Sequence, residues 1–175
     1  SGDPMEQSER KQLQKNQEFV ANLIPDRIKN NSEHAALTAA TTDITKYIMA
    51  SVDRNYGDSS NNPGKKYLDN PYGDNSIPMF YHNGESLRIV LEETVNIMNQ
   101  DIEAKREASP YHDPKIFMAT IIAAGAADLI SDKPRGVEEQ DTADLMKKIL
   151  SLDLWGYDFS RERVMIPNEQ GKFEE

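Results

Sequence analysis

The twelve residues Ile116 to Ala127, IFMATIIAAGAA, decide the fold. They carry no charge, and no other stretch of this polar, acidic chain is so apolar. Asp113-Pro114-Lys115 precede them and Asp128 to Asp132 follow. The pattern predicts a helix sealed into the middle of a helical protein. Asp113 is placed to cap it, and Pro114 to occupy the first helical position, where a missing N–H costs nothing. The helix is expected to run to about Ser131 and to stop before Lys133-Pro134. The run is too short to span a bilayer, which needs about 20 residues.

Within this helix Ala119, Ala123 and Ala127 recur at i, i+4 and i+8, with Gly125 and Ala126 nearby. Small side chains let a neighbouring helix approach closely. This face therefore predicts one close helix neighbour, and Ala123→Leu is expected to overpack it at a cost of roughly 1–3 kcal/mol. A homodimer through the same small-residue face is the alternative.

On the N-terminal side, residues 8–23 are rich in helix formers. Leu13, Gln17, Val20 and Ile24 form a thin stripe that Pro25 ends or kinks. Asp26 to Asn31 reads as a turn or a short helical extension. Ser32 is the expected N-cap of a helix over 33–54, with Ala36, Ala40, Ile44, Tyr47 or Ile48, and Val52 inward. Thr38, Thr41, Thr42 and Thr45 lower its intrinsic helicity, so packing must hold it.

Residues 55–84 break the periodicity and read as a long irregular loop holding three Pro and four Tyr. Glu85 to Ala108 gives the clearest amphipathic helix, with Leu87, Leu91, Val95, Met98 and Ile102 stepping near the 3.6 period. Ser109-Pro110-Tyr111-His112 is a breaker. A last helix covers Val137 to Leu152, with Ala143, Met146 and Ile149 or Leu150 inward. An irregular tail follows, with a short strand at Arg163 to Ile166 and polar, frayed final residues. Sustained period-two alternation is lacking, so the fold class is all-α: one compact bundle of about five helices spanning 5–175. Ser1-Gly2-Asp3-Pro4 before Met5 reads as a tag remnant.

Composition excludes several functions. Thirty acidic against twenty basic residues give a formal charge of −10, which disfavours nucleic acid as a partner. With no cysteine, disulfides and thiolate chemistry are ruled out. Neither fact fixes a compartment. No P-loop, dinucleotide-binding glycine motif or nucleophile elbow occurs, and no cofactor is expected. Asp58, Asp69 and Asp74 lack the EF-hand spacing and suit Asx-turns instead. Glu92-Glu93 and Glu138-Glu139 are adjacent helical residues, pointing about 100° apart, and do not converge on one substrate.

Two constellations remain. The His112-Asp113 doublet, with His82 upstream and Asp128, Asp132, Asp141 and Asp144 downstream, resembles the HD-type metal phosphohydrolases. That resemblance implies an all-α domain in which His82, His112 and Asp113 would gather a divalent metal and activate water. The family's doublet follows a buried apolar helix, whereas Ser109-Pro110-Tyr111 precede it here, and capping already accounts for Asp113. The second constellation is aromatic: Tyr67, Tyr72, Phe80 and Tyr81 in the loop, and Trp155, Tyr157 and Phe159 in the tail. Exposed Tyr and Trp are common anchors of protein interfaces, though they equally tuck irregular segments onto a bundle. The sequence is therefore read as a non-enzymatic protein-binding or adaptor protein of the subunit, regulator, chaperone-like or effector kind. It would engage a protein partner through Tyr67, Tyr72, Phe80, Tyr81 and Trp155. A metal-dependent phosphohydrolase is the alternative.

Overall fold

A computed structural model describes residues 4–56, 84–127, 129, 137–161, 166–167 and 173–174. The architecture is all-α. In chain order it comprises α1 (Pro4–Leu23), the single turn α2 (Asp26–Lys29), α3 (Ala35–Tyr56), α4 (Gly84–Lys105), α5 (Pro114–Ala126) and α6 (Val137–Ser151). Short 3-10 turns precede α3, follow α4 and α6, and lead into α5. Ile166–Pro167 (β1) pairs antiparallel with Phe173–Glu174 (β2); of the expected strand Ile166 lies in β1, and 163–165 lie outside the described residues. Most of the expected loop, 57–83, lies outside the described residues.

Helices α1, α3, α4 and α5 pack together, with α3 touching the other three. The inward stripe of α4 is as its period requires: Leu87, Leu91, Val95 and Met98 are buried, and Ile102 is partly so. They meet Val20 of α1, Ile24 of the connection, Ile28 of α2, Ile44, Ile48, Met49 and Val52 from α3, and Phe117, Met118, Ile121 and Ile122 from α5. Each fully buried aliphatic or aromatic side chain contributes about 1.5–3 kcal/mol over its exposed state.

Several expected positions are displaced by one residue, each for a physical reason. On α1 the inward residue is Asn16, fully buried, while Gln17 is exposed. A polar side chain can sit in a core when its atoms are bonded. Asn16 Oδ1 accepts from Arg88 Nη2 at 2.8 Å and from Gln12 Nε2 at 3.1 Å, tying α1 to α4. Gln17 instead accepts from Lys46 Nζ at the surface.

Before α3 the cap is Asn31, not Ser32. The Asn31 side chain accepts from the Glu33 N–H, and Ser32 lies within the 3-10 turn. Ala40, Ile44 and Val52 are buried as expected, but at the first turn of α3 Leu37 is buried and Ala36 is exposed. Between Tyr47 and Ile48 the buried residue is Ile48.

Helix α5 starts as the sequence requires. Asp113 Oδ1 accepts from the Lys115 N–H at 2.9 Å, and Pro114 holds the first position. It ends at Ala126, earlier than the expected Ser131. Nor is it sealed all round, because Ala119, Ala123 and Ala127 are exposed. The expected alanine contact is therefore overturned. The close approach is made by Gly125, on the other flank. A Cβ there would lie 3.7 Å from Thr45 Cγ2, 3.8 Å from Ile48 Cγ2 and 3.9 Å from Leu91 Cδ2. Those are ordinary van der Waals distances, so a methyl group would fit there and a larger side chain would press on α3 and α4. On α6, Met146 is buried and Ile149 and Leu150 partly so, whereas Ala143 is exposed.

Candidate binding groove

The expected breaker before α5 is a built connection. Arg106 takes a positive φ of 52° and ends α4, the αL conformation that commonly closes helices. Ser109, nearly fully buried, donates from Oγ to Asp101 Oδ2 at 2.6 Å and accepts from the Tyr111 N–H at 3.3 Å. Lys105 closes the same cluster on Asp101 at 2.9 Å. The Ser109 hydroxyl, then Lys105, hold the Asp101 carboxyl below its usual range, and Asp101 raises Lys105 in return.

This connection aims α5 so that its alanine edge faces outward into a groove of about 290 Å³. Met118, Ala119, Ile122 and Ala123 form the floor, Met146 and Leu150 of α6 one wall, and Tyr157 and Phe159 of the tail the far rim. Among the described residues Lys115 is the one charged residue in the lining, which also includes Leu37 of α3. A groove of this makeup takes up apolar side chains. Among the described residues its lining offers no converging polar groups to orient a small polar substrate.

Three local devices place the aromatic rim. The Trp155 Nε1–H donates at 2.8 Å to the Ile149 carbonyl near the end of α6, which also accepts from the Leu152 N–H at 3.2 Å. Gly156 takes φ 69°, a conformation open to glycine at little cost, and turns the chain back on itself. Tyr157 and Phe159 then pack edge to face with centroids 4.9 Å apart. The Trp155 ring is half-buried and lies 6.2 Å from the half-exposed Tyr47 ring, beside the exposed Leu152 and Leu154.

Of the residues expected to bind a partner, Trp155 is half-buried and is not part of the groove lining, while Tyr67, Tyr72, Phe80 and Tyr81 lie outside the described residues. His112 and Asp113 are both exposed at the start of α5, and Asp113 is engaged as its cap. His82 is outside the described residues, among which no group of three or more His, Asp or Glu side chains could hold a metal ion. The groove floor escaped the sequence reading, although its signal was there. Ala119 and Ala123, four apart, mark a surface where a side chain of any size is missing, and the same spacing suits a buried contact or an open trough.

The fold and groove define an all-α protein with an apolar surface trough rimmed by its own tail. Comparison with known protein families, with curated proteins and with solved structures found no match. No described helix is long and apolar enough to cross a membrane.

Proposed function

We propose that this chain is a non-enzymatic protein-binding module. It captures an apolar side chain or short apolar segment of a protein partner in the groove between α5, α6 and the tail. The observation that carries this reading is the apolar lining that ends at the Tyr157–Phe159 rim. Aromatic rims around apolar pockets are where binding energy concentrates in protein interfaces. The Tyr-rich segment that contains Tyr67, Tyr72, Phe80 and Tyr81 would extend the contact area.

Ala123→Trp tests the idea. Ala123 is exposed, so a large side chain there fills the trough without entering the core. A partner is recovered with the wild-type chain, purified, and its affinity measured for wild type, Ala123→Trp and Trp155→Ala. Ala123→Trp should weaken binding about tenfold or more at an unchanged melting temperature. Equal affinity for the two proteins rules out the groove as the binding site.

A further inference from the structure

We propose that the outward face of α4 is a second docking surface, built for a basic amphipathic helix of a partner protein. It shares no residue with the groove lining and stands apart from the groove reading. Helix α4 buries Leu87, Leu91, Val95 and Met98, yet leaves Ile89 60% exposed, Ile97 60% exposed and Val90 39% exposed. Single exposed aliphatics are ordinary. These three fall within roughly 100° of one helical surface at 3.6 residues per turn, and they span about 12 Å along the axis.

The charges around that stripe have one sign. Glu85, Glu92, Glu93 and Glu103 are exposed on the same outward half of α4. The cations of the helix are turned elsewhere. Arg88 donates to the buried Asn16 at 2.8 Å and, among the described carboxylates, reaches only Glu85, at 3.9 Å, while Lys105 is bound to Asp101 at 2.9 Å. Among the described residues Glu92, Glu93 and Glu103 have no ion pair. The complement of an aliphatic stripe ringed by carboxylates is an aliphatic stripe ringed by Lys and Arg.

That complement should be a helix. The surface is a ridge whose own backbone groups are already bonded within α4. An extended segment would find no backbone partners there, whereas a helix satisfies its own and packs side chain ridge into groove. A second copy of this chain is a poor occupant, because Glu93 lies midway between Ile89 and Ile97. Two such faces related by a two-fold axis at that midpoint would set Glu93 against Glu93. The same carboxylates repel anionic lipid and nucleic acid.

The test uses the full chain and a fluorescein-labelled synthetic helical peptide, with leucines in an i, i+3, i+7 stripe and lysines flanking them. A matched peptide has glutamate for every lysine. Anisotropy should show binding of the lysine peptide alone, weakening as salt rises. Glu93→Lys and Ile97→Ser should each weaken it about tenfold or more, while Glu9→Lys on α1 and Ala123→Trp in the groove leave it unchanged. No binding, or equal loss with Glu9→Lys, overturns the proposal, the latter by reducing it to diffuse charge attraction. Loss with Ala123→Trp but not Ile97→Ser places the peptide in the groove and sinks the α4 surface alone. Light scattering that shows self-association abolished by Ile97→Ser assigns the face to a second copy and equally overturns it.

Discussion

The two flanks of α5 are made from the same apolar alphabet and have opposite fates. On one, Phe117, Ile121 and Gly125 are fully enclosed against α3 and α4. On the other, Ala119 and Ala123 face solvent and floor a trough. Lack of charge permits burial on either side without imposing it. A flank is enclosed only when a neighbouring helix has a complementary stripe to lay on it, as α3 and α4 do. Helix α6 and the tail supply walls instead, and the small alanines leave the space between them open.

The comparison can be broken most sharply at Phe117. Phe117→Ala should cost about 3–5 kcal/mol in a urea melt, since no relaxation of four packed helices refills that volume. A loss below about 1 kcal/mol would mean that the enclosed flank is not the core. Next comes leucine introduced on each flank. Gly125→Leu must displace Thr45, Ile48 and Leu91, and it should destabilise by roughly 1–3 kcal/mol. Asp113→Ala removes the cap at the head of the helix and should cost about 1 kcal/mol, measured in the same way.

Ala123→Leu projects into the open trough and should stay within about 0.5 kcal/mol of wild type. A cost matching that of Gly125→Leu would erase the distinction between the two flanks.

The weakest expected effect concerns the connection that orients α5. Asp101 is held below the usual carboxylate range by the Ser109 hydroxyl and then by Lys105. A depressed carboxyl contributes stability that is present above its unfolded pKa and is lost as pH falls through the folded one. Urea melts of wild type should therefore lose stability on the acid side of the normal carboxylate range, and Asp101→Asn should flatten that limb. Lys105, raised by Asp101, works in the other direction: its contribution is full below its unfolded pKa and fades as pH climbs through the raised value.

Much of this fold was legible beforehand, and the reasons differ by element. The inward stripe of α4 could be read because its period is clean and its ends carry the right charges. The start of α5 was legible because capping is local chemistry: Asp113 and Pro114 need only their own neighbours. Asn16 was not, since a polar residue reads as exposed until Arg88, far away in sequence, is found bonded to it. Asn31 displaced Ser32 as a cap because both suit the role, and the 3-10 turn chose between them. Of the candidate site, the tail aromatics Tyr157 and Phe159 were legible as a cluster, but not the trough that they rim.

The sequence by itself determined the class, the helix spacing along the chain and the point where α5 begins, because periodicity, proline and capping act over a few residues. The tertiary structure decided which flank of α5 is enclosed and that α4 keeps Ile89 and Ile97 in solvent. It also decided that the tail folds back to rim a groove. Those outcomes depend on which surfaces remain after the complementary ones have paired, and pairing is a property of the whole set of helices rather than of any one of them.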